Sequence, residues 1–271
     1  MQLSRSARIA LRVAAGFGFA VIYVPLVLVL VNSLNPDRSA SRPPPGLTLH
    51  WWSVAWENSG ARAALWVSVK AGLGATAIAL VLGTLIAFAV ARYRFFGRDA
   101  LSFVVVLPIA LPGIVTGIAL NSAFSTVLEP LGVGLGLFTV VVGHATFCIV
   151  VVFNNVVARL RRTPGSYEEA AMDLGANTFR AFIDVTFPLV RSALLAGALL
   201  AFALSFDEIV VTTFTAGPGV ETLPIWIFNN MTRPQQAPAV NVVAAVPVLL
   251  SVLPIYAAQR LSADTATGSR V

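Results

Sequence analysis

Long uncharged apolar stretches, cut by short charged ones, set the pattern of this chain. Uncharged windows run over residues 13–36, 71–91, 100–128, 130–158, 192–206 and 234–259. All but 192–206 contain the ~20 apolar residues that carry a helix across a hydrocarbon core of about 30 Å. The exception has 15 residues and reaches only about 22 Å at ~1.5 Å per residue. It is therefore expected to continue through Asp207 and Glu208 to about Val211, which places the acidic pair about one turn inside the fifth span. The pattern predicts six membrane helices, over about 13–34, 66–91, 101–122, 137–158, 190–211 and 241–259. The first follows a basic segment (Arg5, Arg8, Arg12), but its apolar run is longer than a signal-peptide core and no small-x-small cleavage site closes it. It reads as a membrane helix.

The connecting segments differ in character. Residues 35–65 carry Pro43-Pro44-Pro45-Gly46 and then Trp51, Trp52 and Trp56, an aromatic stretch suited to a membrane interface. Residues 214–240 hold Gly217-Pro218-Gly219 and further prolines and read as irregular or re-entrant. Residues 159–189 instead have helix-forming composition, opening on Pro164-Gly165 and closing at Pro188.

Composition sharpens this picture. Of 271 residues 57% are hydrophobic and only 11% charged, with a mean hydropathy of +0.83. Soluble domains carry roughly 25% charged residues, so too little polar surface exists here to cover a water-soluble globule, and disorder is excluded more firmly still. The net charge of +6 is distributed rather than patched, which argues against a nucleic-acid partner. With the N-terminus inside, 13 of the 18 basic residues fall on the inner side of a six-span layout. That asymmetry predicts both termini in the cytoplasm, and places 159–189 there too.

Candidate chemistry is sparse. The only lysine, Lys70, is followed by Ala71, so no Walker-type P-loop exists and the chain is not expected to be an enzyme. Gly72-Leu73-Gly74 with Ala77 sits inside a span with no preceding strand, and Gly113/Gly117 and Gly132/Gly136 fit small-residue helix packing. One cysteine, Cys148, and two distant histidines, His50 and His144, make neither a disulfide framework nor a metal site. His144, Asn121, Asn154 and Asn155 are polar residues within spans: each is either an interhelical hydrogen-bonding residue or part of a pathway.

The segment with the most information is the cytoplasmic loop. Glu168, Glu169 and Asp173 occupy the first turns of a short helix, where the dipole favours negative charge. Ala170, Ala171, Met172 and Leu174 make it small and partly apolar, and Gly175, followed by Ala176, is placed to end it. A second short helix, about 177–186, is expected to lead to Pro188 and stop there. Physically this is either a docking rod or an ordinary amphipathic interfacial helix.

Glu169, Ala170, Ala171, Gly175, Val185, Phe187 and Pro188 match E-A-A-x(3)-G-x(9)-[IV]-x-[LF]-P. This resembles the signature loop of binding-protein-dependent ABC transporter permeases. Asn32-Ser33, the run Leu111–Leu120, Leu204-Ser205-Phe206-Asp207-Glu208, Gly217-Pro218-Gly219 and Thr222-Leu223-Pro224 look like the spermidine/putrescine permease subfamily. The resemblance implies an all-α polytopic protein of the inner membrane, a single permease domain over 1–271 with the type I importer fold and coupling loop 159–189. It further implies a dimeric ABC ATPase that holds ATP and Mg outside this chain, a second permease making a heterodimer, and a periplasmic or lipid-anchored substrate-binding protein. Glu168, Glu169, Ala170, Ala171, Asp173, Leu174, Gly175, Ala176 and Pro188 would form the ATPase-coupling loop, with Glu169 and Gly175 central.

Asp207 and Glu208 are the only carboxylates within a predicted span. An ionised carboxylate at membrane depth costs ~3 kcal/mol on insertion scales, so it is expected to face water, a partner or a cationic substrate. Adjacent helical residues point about 100° apart, so one of the two faces a pathway, Asp207 by preference, with Phe206, Asn121 and His144 beside it. The alternative is that both sit at the wet interface and stabilise the outer loop. On function, a polyamine or similar small cation leads. Another solute (thiamine, ferric ion, an amino-acid derivative) and an ion-coupled secondary carrier are the alternatives.

Overall fold

The structure, a computed structural model, describes residues 4–37, 44–233 and 235–250. Its contacts divide into two compact units, one of residues 1–62 with 227–271 and one of residues 63–226. Among the described residues every regular element is helical.

The first unit holds α1 (Arg5–Ser33) and the short α2 (His50–Glu57), which carries the predicted aromatic stretch. Ser4 caps α1, its hydroxyl accepting the Ala7 N–H. Trp51 is buried and Trp56 exposed. The Asn58 side chain accepts the Ala61 N–H at 3.0 Å, so the next helix begins at Ser59, earlier than the predicted 66. The last element among the described residues is α12 (Ala237–Leu250). The predicted sixth span, 241–259, lies outside the described residues beyond Leu250.

The second unit is built around α6 (Leu137–Arg161), whose buried face runs from Thr139 to Leu160. Against it lie α3 (Ser59–Arg92) and α9 (Phe187–Phe206). The face of α3 presents Ala71, Ala75, Ala79 and Ala87, all fully buried, so the two backbones approach closely. Closest is Gly83, where an added Cβ would stand 2.9 Å from the Ile149 carbonyl and 3.0 Å from Val152 Cβ. Gly83→Val is therefore expected to force α3 off α6 and destabilise the fold by about 1–3 kcal/mol. Thermal unfolding of the detergent-solubilised protein checks this, and an unchanged midpoint would contradict the contact. Gly72 and Gly74 likewise face Phe202 and Val141, which is the packing role.

Five helices among the described residues are long and apolar enough to cross a membrane. Two expected spans end differently from the prediction. The stretch 101–122 is two helices, α4 (Arg98–Ala110) and α5 (Gly113–Val127). Pro112 lacks an N–H, and it forces the preceding Leu111 into the extended conformation (ψ 146°). The fifth span begins upstream of 190 and does not run on to 211. Its helical run covers Thr178–Phe206, about 43 Å at ~1.5 Å per residue, and ends immediately before the acidic pair. After a three-residue break comes α10 (Val210–Thr215), then α11 (Leu223–Asn230).

The tandem glycine pairs also part company. Gly113 and Gly117 pack against Val210 and Phe214 of α10. Gly132 closes a 3-10 turn (Glu129–Leu131) with φ 78°, Gly136 opens α6, and a Cβ added at either would meet nothing within 4 Å, so neither is a site of close helix packing.

Candidate functional site: the exposed rod and the acidic break

The loop 159–189 folds as its composition demands at its start. The Gly165 carbonyl accepts the Glu168 and Glu169 N–H groups and opens α7 (Ser166–Asp173). Gly175 ends it with φ 93°, a conformation that disfavours any residue with a Cβ. The Ala176 N–H donates to the Ala171 carbonyl and the Gly175 N–H to Met172, the paired pattern that satisfies a helix's last carbonyls. Asn177 then caps α8 (Thr178–Ala181), its side chain accepting the Arg180 N–H at 2.9 Å.

Pro188 does not stop the second helix. The chain passes through one wide turn of π-helix (Phe182–Thr186), with the Phe187 N–H donating to the Phe182 carbonyl, and continues as α9. A π-turn accommodates the missing proline donor without ending the helix.

No residue of α7 is buried. Leu174 is 91% and Phe179 72% exposed, with Tyr167 and Met172 exposed beside them. Glu169 and Asp173 are also exposed. Glu168 points the other way, and Arg92, at the end of α3, meets it. Arg92 Nε donates to Glu168 Oε1 at 3.1 Å, and Nη2 lies 3.0 Å from the same oxygen. Arg92 Nη1 donates to the carbonyls of Leu160 and Thr163 at the end of α6, and Thr186 Oγ1 donates to Glu168 Oε1 at 2.9 Å. Arg92 was legible in the sequence only as one more inner-side charge, and Thr186 carried no signal.

The second cluster surrounds the break after α9. His144 is fully buried, with Nδ1 2.7 Å from Ser205 Oγ on α9 and Nε2 2.8 Å from Thr212 Oγ1 on α10. Thr212 already donates its hydroxyl proton to the Glu208 carbonyl, so Nε2 carries the imidazole proton and Ser205 donates to Nδ1. Of the two alternatives for His144, this is the interhelical geometry. Asn121 Nδ2 donates to the Phe214 carbonyl and also holds α10. Asn155 bonds within its own helix to the Val151 carbonyl, and Asn154 is exposed. Phe206 packs against Phe202 with ring centroids 5.8 Å apart.

The two carboxylates divide. Glu208 Oε1 accepts the Val211 N–H at 2.8 Å and so caps α10. Asp207 is exposed at the end of α9, where unpaired carbonyls give the helix C-terminus a partial negative charge. Dipole and carboxylate act together there to attract a cation. Among the described residues no group of His, Cys, Asp and Glu side chains is arranged to hold a metal ion.

Comparisons with known proteins agree on one family. A profile described as "Binding-protein-dependent transport system inner membrane component" matches residues 79–266. The chain is 33% identical over 251 residues to the spermidine/putrescine transport system permease protein PotC of Escherichia coli (strain K12), covering 93% of each chain. It is 32% identical over 230 residues to the putrescine transport system permease protein PotI of the same strain, covering 84% of this chain and 81% of the relative. In fold it resembles a chain from the crystal structure of a bacterial ABC transporter involved in the import of the acidic polysaccharide alginate. The TM-score is 0.69 at 17% identity, over 96% of this chain and 99% of the other.

Proposed function

This chain belongs to the family of inner membrane components of binding-protein-dependent transport systems, and on that premise we propose that it carries a polyamine, or a small organic cation like one, across the inner membrane. Relatives that share a third of its sequence over nine-tenths of its length are spermidine and putrescine permeases. An ion-coupled carrier is not favoured, because the family works with binding proteins.

The observation that carries the substrate reading is the exposed Asp207 at the negative end of α9, with Glu208 occupied in capping α10. A polyamine entering a membrane pathway loses hydration, and a carboxylate backed by a helix C-terminus replaces part of it. With the 159–189 loop inside the cell, the acidic break lies at the far end of α9, about 28 Å from Pro188 at ~1.5 Å per residue. That is the outer mouth of the pathway. Arriving solute meets Asp207 there.

The work is supplied elsewhere. Lacking a P-loop, the chain depends on a separate ATPase dimer that binds ATP and Mg. The exposed α7 is the element offered to that ATPase, a second permease completes the pathway in a heterodimer, and an external binding protein delivers the solute. ATP binding and hydrolysis on the partner push α7, and the helices attached to it rock between inward-open and outward-open arrangements.

The test is uptake of spermidine by vesicles containing the assembled complex. Asp207→Asn is expected to lower uptake by roughly tenfold, equivalent to the loss of ~1.4 kcal/mol of favourable interaction, while the ATPase still binds. Unchanged uptake would rule out the substrate role of Asp207.

A further inference from the structure

Glu168 and Glu169 are neighbours that face opposite ways, and the consequence for α7 is mechanical. Glu168 is the only α7 side chain that bonds outside the helix among the described residues. With none of its residues buried, α7 has no core of its own to hold it. Among the described residues its side-chain hydrogen bonding to the bundle runs through one carboxylate oxygen. That oxygen is shared by Arg92 from α3 and Thr186 from the turn that leads into α9. The same guanidinium also bonds the two carbonyls at the end of α6. One side chain thus fastens the rod to three membrane helices at once.

We propose that Arg92 is the positioning residue that transmits movement of α7 to α3, α6 and α9, with Glu168 facing inward as the tether and Glu169 outward toward the ATPase. This rests on the coupling role given to α7 above. Arginine suits the place because its planar fork keeps a fixed angle between the carboxylate and the two carbonyls. A lysine is a single point charge and meets only part of that set. The ion pair is partly shielded, with side chains 16% and 23% exposed, so its partners are not simply exchanged for water when α7 is pushed.

The test uses the complete complex reconstituted in vesicles, with ATP hydrolysis and spermidine uptake measured on the same sample. Arg92→Gln is expected to assemble with the ATPase and to hydrolyse ATP, while spermidine moved per ATP falls on the order of tenfold, within the usual range of coupling between sites. Arg92→Lys is expected to recover part of that ratio. Glu168→Gln is expected to show the same loss, and the double variant no further loss. An unchanged ratio in Arg92→Gln, a fall in both rates by the same factor, or additive losses would overturn the proposal.

A second measurement does not depend on the solute. Spin labels at Tyr93→Cys and Ser166→Cys, in a Cys148→Ser background, report the distance between the end of α3 and the start of α7. The distance distribution is expected to stay narrow on addition of ATP with Arg92 present and to broaden with Arg92→Gln. Equal widths would overturn the tether whatever the substrate proves to be. Wild-type vesicles that bind the ATPase and move no spermidine would defeat the polyamine reading instead.

Discussion

Glu169→Lys is expected to remove the ATPase from the purified complex while leaving the permease folded. The residue is exposed in the first turn of α7 and its carboxylate bonds to nothing among the described residues. The cost to the chain itself is therefore confined to placing a positive charge at a helix N-terminus, about 0.3–1 kcal/mol. On the docking role proposed for α7, its cost to the complex is larger, because reversing a charge at the centre of that surface adds repulsion to a lost contact. About 3 kcal/mol, roughly a hundredfold in affinity, is expected. The same loop also exposes Leu174, Phe179, Met172 and Tyr167, which supply the apolar area such a contact needs. Co-purification of the ATPase at several salt concentrations checks this. Full retention of the ATPase at physiological salt would mean that α7 docks elsewhere or not at all.

The second large effect is expected at His144. Replacing it with leucine, of similar bulk, leaves the Ser205 hydroxyl without its His144 acceptor and removes a side chain that, among the described residues, alone bridges α9 and α10 across the acidic break. Thr212 keeps its bond to the Glu208 carbonyl, so the break loosens on one side only. Interhelical polar contacts in membranes contribute less than buried ones in soluble proteins, so the loss is expected at about 1–3 kcal/mol. Unfolding of His144→Leu, Ser205→Ala and the double variant measures the coupling directly. Losses that simply add would mean that the bond at 2.7 Å contributes nothing. Because the latch fixes where α9 ends, the same variant is expected to reduce spermidine uptake beyond its effect on stability.

Residue by residue, legibility followed the range of the interactions. The helix over 166–173 was readable because every signal that makes it is local: a Pro-Gly opening, acids in the first turns, small apolar residues, and a glycine at the point of reversal. The break at Leu111-Pro112 is equally local, but the apolar run continues through it, so hydropathy does not mark it. The continuity of the helical run Thr178–Phe206 was hidden by Arg180 and Arg191, which interrupt a hydropathy window without interrupting a helix, since arginine is a good helix former. Pro188 misled in the opposite direction, because the π-turn that accommodates it has no strong sequence mark. The division of labour between Asp207 and Glu208 was half readable. The expectation that they point apart came from helical spacing, whereas both lie in the break after α9, and Glu208 is occupied by the N-terminus of α10, a helix that was not predicted.

Taken alone, the sequence determined that this chain is helical, lives in a bilayer and carries the signature loop of its family. Those properties depend on hydropathy summed over twenty residues and on spacing within one loop, neither of which needs a partner from far along the chain. Only the tertiary structure decided that Arg92 grips Glu168, 76 positions away, that His144 bridges two helices, and that α9 halts before the acidic pair. Each depends on which helices pack together and at what register, and a charged or polar side chain takes whichever partner that packing brings within three ångströms or so.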